Sequence, residues 1–243
     1  MNAQKPFLKE ISSTNSFLQG AKDCAPTLFG YMSIGIAFGI VGTASGLSII
    51  EIAALSIFVY AGSAQFIICA LLVAGATLPV IITTTFIVNL RHFLLSLTLA
   101  PYFTKESFLR NIGFGALLTD ESFGVASTRA ARDGRLYAKW MDGLNLTAYL
   151  CWAAACTAGA ILGQWISNPH AFGLDYALIA MFIALLVLQL EQSQSARLKL
   201  NMFVVLLVVV SMIVFSFFVS GHIAVLLSTC FAATIGVVLS NDD

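Results

Sequence analysis

The chain has 243 residues, of which 59% are hydrophobic and 10% are charged, and its formal net charge is zero. Soluble domains carry about 25% charged residues, so a mean hydropathy of +0.92 excludes a soluble domain and predicts a membrane protein that contacts lipid and no nucleic acid. The charges cluster between long uncharged tracts at 24–50, 52–90, 143–174 and 200–241. This pattern predicts an all-α, polytopic membrane helix bundle with about eight transmembrane helices.

The cysteines lie in apolar segments and lack the spacing of metal ligands. The sequence has no CxxC pair and no Cys/His pattern. We interpret the five cysteines as small hydrophobic residues and expect no metal, no disulfide and no cofactor. They are Cys24, Cys69, Cys151, Cys156 and Cys230.

The N-terminal part divides into a polar tail and a glycine-rich first span. Residues 1–22 are predicted to be a cytoplasmic tail, and 23–243 the transmembrane domain. Pro26 occupies a permitted helix-start position, so the first span is predicted from there to about residue 46. Glycines at Gly30, Gly35 and Gly39 favour close helix packing. Glycine also weakens a helix, so a broken helix that gates a substrate path is the alternative.

The second span contains polar and small residues between Tyr60 and Phe66. In one continuous helix Ser56, Tyr60 and Ser63 share a face. Small residues at 62–64 would allow local unwinding, which at membrane depth is tolerated only beside protein or a cavity. The segment therefore predicts either a ligand-facing unwound turn or hydrogen bonds between helices. Its candidate substrate contacts are Tyr60, Gly62, Ser63, Ala64 and Gln65.

The third span, from Pro79 to Ala100, carries an arginine well inside the apolar segment. A lone arginine near the centre of a membrane helix costs at least about 2.5–3.5 kcal/mol, so Arg91 is expected to pair with an acid or to face a watery cavity. A stripe of polar residues at helical spacing lies beside it and adds Asn89 and His92 as candidates. The stripe consists of Thr85, Asn89, His92 and Ser96.

The fourth span, about 108–128, carries Asp120 and Glu121 at a depth close to that of Arg91. In one continuous helix Asp120 would share a small-residue face with Gly113, Ala116, Gly124 and Ser127. An ion pair between Arg91 and one acid is expected. Such a pair either fixes two helices or leaves the second carboxyl free as a titratable site.

The remaining sequence completes the predicted topology. The basic segment 129–139 is predicted to be cytoplasmic by the positive-inside rule. Further spans are predicted at about 141–164 and 176–190, and the apolar tract 200–241 is long enough for two, separated near Ser220–His222. Eight spans place both termini in the cytoplasm. A short match between residues 46–48 and 173–175 leaves an internal repeat open.

The chain lacks the common catalytic motifs, with no P-loop, GxGxxG, HExxH or GxSxG sequence. We therefore expect no enzyme. A cluster of one arginine, two acids and a histidine is typical of ion-coupled transport. A channel or another solute transporter is an alternative transport function, and a scaffold with a structural Arg–acid pair is the non-transport alternative.

Four ordered motifs resemble the AzlC family of branched-chain amino acid exporters. They are 26–31 with 35–39, 60–66, 89–92 and 118–123, and the resemblance covers roughly residues 20–240. It implies export of L-valine and related amino acids, with methionine as a further substrate, across the bacterial inner membrane, and we expect the proton gradient to drive this export. It also implies a second, small hydrophobic subunit of the AzlD or YgaH type.

A zwitterionic substrate needs donors for its carboxylate and an acceptor for its ammonium group. We expect Arg91, Asn89, Gln65 or backbone N–H groups at 62–64 to bind the carboxylate. Asp120 or Glu121 would bind the ammonium group. The Gly-rich first span and Phe66 would enclose the apolar side chain, and His92, Asp120 or Glu121 would carry a coupling proton.

Overall fold

The computed structural model describes residues 16–166, 195–219 and 221–240, with isolated helical positions between 176 and 190. These residues form α-helices and one short 3-10 helix, and no strand occurs among them. Within these described ranges, four helices are long and apolar enough to cross a membrane: Phe17–Ala44, Leu78–Phe103, Ala138–Gly163 and Leu198–Ser216. The prediction of an all-α membrane fold is confirmed.

The helices are numbered here in chain order. They are α1 Phe17–Ala44, α2 Ile49–Phe58, α3 Gly62–Val73, α4 Leu78–Leu99, α5 Phe108–Ala116, α6 Asp120–Asp133, α7 Ala138–Gly163, α8 Ser195–Ser216 and α9 Gly221–Ser240, with the 3-10 helix Ala100–Phe103 after α4. The predicted sixth span, 176–190, lies outside the fully described residues.

The contacts divide the chain into two units, 1–179 and 180–243. In the second unit α8 and α9 pack against each other, with the rings of Phe215 and Phe231 edge to face at 6.2 Å. Two helices therefore occupy the tract 200–241, and α8 ends at Ser216 while α9 begins at Gly221. The predicted division of this tract near Ser220–His222 is confirmed.

The first helix begins earlier than predicted. Ser16 caps α1 by accepting a hydrogen bond from the backbone N–H of Gln19 at 3.2 Å, and Pro26 lies inside the helix. The prediction that Pro26 begins the span is wrong, because the first turns of α1 are stabilised by packing on α7. Gly20 lies directly against the backbone of Trp140 there.

Glycines bring α1 and α7 into backbone contact along most of their length. A Cβ at Gly39 would collide with the carbonyl oxygen of Cys156, and one at Gly159 would collide with that of Ile36. Because α1 is unbroken from Phe17 to Ala44, its glycines act in packing and the broken-helix alternative does not apply. Gly30 differs, since a Cβ there would have no neighbour within 4 Å.

The second span is broken at residues 59–61, between α2 and α3. The predicted unwinding at 62–64 is misplaced, because these residues form the first turn of α3. Tyr60 leaves the helix instead, with a φ of +43°, and its ring packs edge to face on Tyr149 at 4.9 Å. The break also separates Ser56 from Ser63, so the predicted face of Ser56, Tyr60 and Ser63 does not exist as one helical face.

The fourth span is also broken, at residues 117–119, which the sequence analysis missed. Thr119 caps α6 by accepting from the N–H of Ser122, while the Ser122 hydroxyl accepts from the N–H of Thr119. This reciprocal cap starts a new helix, so the predicted small-residue face from Gly113 and Ala116 through Asp120 is interrupted. The helix then continues to Asp133, beyond the predicted end at 128.

Neither half of a broken span crosses a membrane alone. The halves have 10 and 12 residues in α2 and α3, and 9 and 14 residues in α5 and α6. At about 1.5 Å per residue the longest half reaches about 21 Å, against a hydrocarbon core of about 30 Å. Both breaks therefore lie within the depth of the bilayer, where free backbone groups need partners.

The close contact of α1 and α7 leads to a stability prediction. Gly39→Ala should lower the free energy of unfolding by about 3 kcal/mol, the upper end for overpacking, because its methyl group meets rigid backbone. Thermal unfolding of the purified protein measures the change. Gly30→Ala is the matched control and should have little effect, since that site is open. Equal losses in both variants would contradict the packing role of Gly39.

Candidate functional site

Arg91 connects three helices at the level of the two breaks. Its Nη1 lies 2.9 Å from Oδ2 of Asp120, the first residue of α6. Its Nη2 donates a hydrogen bond to Oγ of Ser63, in the first turn of α3, at 2.7 Å. The predicted ion pair with an acid is confirmed for Asp120. The guanidinium of α4 thus bridges the starts of two half-helices.

The starts of α3 and α6 differ in how their backbone N–H groups are satisfied. In any α-helix the N–H groups of the first turn lack partners within the helix. Thr119 caps α6, but Ala61 gives α3 no side-chain cap. Because a helix N-terminus carries a partial positive charge, the uncapped start of α3 favours an anion. Its first turn contains Gly62, Ser63 and Ala64.

Several buried polar atoms close to the breaks or on α4 have no hydrogen-bond partner among the described residues. They are Tyr60 Oη, Thr85 Oγ1, Asn89 Oδ1 and Arg91 Nε. An unsatisfied buried polar group costs about 1–3 kcal/mol, so such atoms are rare in a region that serves packing alone. Two of these atoms, Asn89 Oδ1 and Arg91 Nε, lie two residues apart on α4, which makes this part of the helix a candidate binding site for a polar ligand.

Gln65 is fully buried and both ends of its amide are occupied by protein groups. Its Oε1 accepts from the indole N–H of Trp152 at 2.9 Å, and its Nε2 donates to Oγ of Ser56 at 3.2 Å. For the segment 60–66 this geometry favours hydrogen bonds between helices over a turn that faces a ligand. The ring of Phe66 also contacts protein, because it packs edge to face on the ring of Phe38 with centroids 5.5 Å apart.

The other candidate residues lie on α4 and α6. Glu121 follows Asp120 in the first turn of α6 and is half-buried. His92 is half-buried on α4, and its carbonyl oxygen accepts a hydrogen bond from Oγ of Ser96 at 2.7 Å. Asn89 lies two residues before Arg91 on the same helix. The polar stripe of α4 is therefore preserved in one continuous helix.

The sequence analysis missed a set of residues that contact the breaks. The hydroxyl groups of Tyr31 and Thr119 are hydrogen-bonded to each other. Three residues of α7 also contact helix ends, and their spacing of i, i+4 and i+7 was a readable signal for one helical face. These three are Asn145, Tyr149 and Trp152.

A second charged cluster lies towards the other end of α6. Arg129 is 7% exposed and its Nη1 lies 3.1 Å from Oδ2 of Asp23 on α1. The same carboxylate oxygen accepts the indole N–H of Trp140 at 2.8 Å, and the guanidinium stacks 4.5 Å from that ring. The prediction that Arg129 begins a basic loop is wrong, because α6 extends to Asp133 and Arg129 lies buried within it.

An apolar cavity of about 180 Å³ lies among α4, α5, α7 and the 3-10 helix. Leu118 lines it and precedes Asp120 by two residues, so their Cα atoms are at most about 7 Å apart. The cavity also contacts Ser96 of the polar stripe and Met141 of α7. An apolar space thus lies beside the start of α6.

A family model described as AzlC protein matches residues 26–166, more than half of the chain. This chain belongs to the AzlC family. The matched residues run from α1 to α7 and include Arg91, Asp120 and both breaks. The site geometry therefore lies within the part that the AzlC family shares.

Curated relatives agree with the AzlC assignment. Inner membrane protein YgaZ of Escherichia coli is 27% identical over 197 residues, which cover 79% of this chain and 80% of that protein. Branched-chain amino acid transport protein AzlC of Bacillus subtilis is 28% identical over 166 residues, covering 68% and 64%. An uncharacterized membrane protein of Helicobacter pylori is 26% identical over 187 residues, covering 75% and 81%. No solved structure matches.

The ion pair of Arg91 and Asp120 is predicted to be energetically coupled. Removing either charge leaves the other poorly compensated within the membrane, whereas removing both does not. A double-mutant cycle with Arg91→Leu and Asp120→Leu should give a coupling energy of about 1–3 kcal/mol in thermal unfolding.

The matched control is the exposed pair of Arg132 and Asp133, whose arginine side chain is 71% exposed. Its coupling energy should be near zero, because surface ion pairs contribute little. Additive effects at Arg91 and Asp120 would contradict the assignment of a partly buried, mutually dependent pair.

Proposed function

We propose that this chain is the large subunit of an exporter of L-valine and other branched-chain amino acids, with methionine as a further substrate. The observation that carries the proposal is the position of Arg91 between the starts of α3 and α6. Two facing half-helix ends at membrane depth, held by one arginine, form a site suited to a small zwitterion. The name of the Bacillus subtilis relative, a branched-chain amino acid transport protein, supports the substrate class.

The substrate carboxylate is assigned to the start of α3. Arg91 supplies guanidinium N–H donors, and one of its nitrogens, Nε, is buried without a partner among the described residues. The first-turn N–H groups of Gly62, Ser63 and Ala64 add donors at an uncapped helix end. Charge-assisted hydrogen bonds of this kind are about twice as strong as neutral ones.

The substrate ammonium group is assigned to the acids at the start of α6. Asp120 lies 2.9 Å from Arg91 in an ion pair. A bound substrate carboxylate would compete for the guanidinium of Arg91 and so weaken its ion pair with Asp120. The free Asp120 oxygen, Asn89 Oδ1 and the hydroxyl of Tyr60 are acceptors for an ammonium group. The cavity beside Leu118 is the apolar space for the branched side chain.

Proton coupling is assigned to Glu121. Asp120 is paired with Arg91, which leaves Glu121 as the second carboxyl that the sequence analysis expected. A proton bound there would be carried inwards as the amino acid leaves. Asp120 and His92 are the other two candidates, and the experiments below distinguish Glu121 from His92.

The proposed assembly lies in the bacterial inner membrane with a small hydrophobic subunit of the AzlD or YgaH type. The contact of Asp23 with Arg129 places the beginning of α1 and the end of α6 at the same end of the bundle. This supports the proposal that the N-terminal tail and the basic segment that follows α6 lie on one side, the cytoplasm. An even number of spans then places the C-terminus there too.

Removal of the Arg91 side chain should abolish export. A charged hydrogen bond contributes about 1.5–3 kcal/mol, so Arg91→Ala should lower efflux of labelled L-valine by about 10- to 100-fold. The assay uses cells loaded with a valine dipeptide and expressing the chain together with the small subunit. Arg132→Ala, a change at an exposed arginine, is the matched control and should export normally.

The same assay also uses the parent chain alone and the parent chain with the small subunit. Expression of the chain without the small subunit should give no efflux, which tests the two-subunit proposal. Normal efflux from Arg91→Ala at normal protein levels would contradict the site. If the parent chain with its partner exports no amino acid in a wider screen, the proposed function is wrong.

Coupling is tested by separating net transport from exchange. In proteoliposomes Glu121→Gln should retain exchange of valine for valine but lose the stimulation of net transport by a pH gradient, because exchange needs no proton release. His92→Gln should retain both activities. Loss of stimulation in His92→Gln alone would move the proton to His92 and contradict the assignment to Glu121.

A further inference from the structure

One face of α7 contacts three of the four helix ends at the two breaks directly, and it reaches the fourth through a second side chain. The face carries Asn145, Tyr149 and Trp152 at spacings of i, i+4 and i+7, so their side chains project in one direction along about 10 Å of helix. None of the three belongs to the polar cluster around Arg91. Their partners nevertheless lie on α2, α3 and α5, and one reaches α6 through a second side chain.

Two of these residues hold the helix ends that lead into the breaks. Asn145 donates from Nδ2 to the carbonyl oxygen of Phe114 in the last turn of α5, at 3.3 Å. Tyr149 donates from its hydroxyl to the carbonyl oxygen of Ile57 in the last turn of α2, at 3.1 Å. Carbonyl groups in the last turn of a helix have no partner within it. Asn145 satisfies such a group at a buried position, and Tyr149 satisfies one at an exposed position.

The third residue holds the helix starts that lead out of the breaks. The indole of Trp152 donates to Gln65 in α3 at 2.9 Å, and Gln65 in turn donates across the break to Ser56 of α2. The same indole packs edge to face on Tyr31, with ring centroids 5.9 Å apart. The Tyr31 hydroxyl is hydrogen-bonded to Thr119, the cap of α6.

The helix that carries this face is itself fixed. Glycine contacts press α7 against α1, and Oγ1 of Thr43 donates to the carbonyl oxygen of Ala160 at 3.2 Å. In contrast α4, which carries Arg91, buries only Ile81 and Leu99. The pair of α1 and α7 is therefore the rigid reference against which the ends of the broken helices are placed.

We propose that Asn145, Tyr149 and Trp152 are positioning residues that set the separation between the starts of α3 and α6. That separation determines whether Arg91 reaches Ser63 and Asp120 together, and hence how well the site fits one amino acid. The role in substrate fit rests on the proposed function. The role in holding the helix ends does not depend on any substrate.

The substrate-dependent test is equilibrium binding of labelled L-valine to the purified protein with its small subunit. Trp152→Phe and Tyr149→Phe each remove one hydrogen-bond donor and keep an aromatic ring. Each should raise the dissociation constant about tenfold, although neither side chain is assigned a contact with the substrate. The matched control is Trp140→Phe, a buried indole of α7 that donates to Asp23 instead. It should lower thermal stability and leave the dissociation constant within about twofold.

The substrate-free test is hydrogen–deuterium exchange of the same variants. Trp152→Phe should accelerate exchange in peptides that cover 62–65 and 120–123, the starts of α3 and α6. Trp140→Phe should accelerate exchange near Asp23 and leave these peptides unchanged. Unchanged valine binding and unchanged exchange at both starts in Trp152→Phe and Tyr149→Phe would overturn the proposal.

The two readouts separate the two proposals. If the parent protein does not bind L-valine but Trp152→Phe accelerates exchange at both starts, the positioning role stands and the proposed substrate fails. If Arg91→Ala abolishes valine binding while the α7 variants bind and exchange like the parent, the substrate site stands and the positioning role fails.

Discussion

The cost of placing one guanidinium in a membrane determines much of this architecture. Arg91 lies in the fourteenth position of the 22-residue helix α4, far from either end. A charge at that depth needs an acid and additional hydrogen bonds, and a continuous neighbouring helix offers few. The two breaks provide both, because each puts a helix start at the level of the arginine. Asp120 supplies the opposite charge and Ser63 the hydrogen bond. The breaks in turn expose backbone carbonyl groups, which require the donors of α7.

The two helix starts have complementary chemistry. That of α3 is uncapped and carries no acid, whereas that of α6 is capped by Thr119 and carries Asp120 and Glu121. Donors for an anion thus face acceptors for a cation across one arginine. This polarity matches the two ends of a zwitterionic amino acid more closely than it matches a simple ion. On the proposed function it would also orient the bound substrate, with the apolar side chain directed away from both charged groups.

The sequence contained the site residues but did not place the two breaks that arrange them. Arg91, Asp120 and Ser63 were recognisable because charged and polar residues are costly in apolar segments. The small residues at 62–64 indicated an unwound turn in the second span, but the break lies just before them, at 59–61. The start of α6 had a local signal, a threonine followed three residues later by serine, but an N-cap in mid-membrane conflicts with the expectation of one continuous span.

At Pro26 the sequence predicted a helix start where the helix in fact continues. Packing of α1 on α7 overrides the preference of proline for a helix start. Partners such as Trp152 depend on contacts between distant segments, for which a single sequence carries no direct signal.

A site built from half-helices also has a mechanical consequence. Each half is too short to cross the bilayer, so it can tilt about its break without moving the whole span. The helix starts are linked by Arg91 on one side and by the Trp152 contacts on the other. The two links differ in the charge of the groups that form them. The Trp152 contacts involve neutral groups of a fixed helix, whereas the Arg91 contacts involve charges that a substrate carboxylate can replace. On the proposed function, substrate binding would change the ionic link and leave the link to α7 intact. A ligand shifts a conformational equilibrium only through its differential contacts with two states, and in this site the arginine is the group that makes that difference.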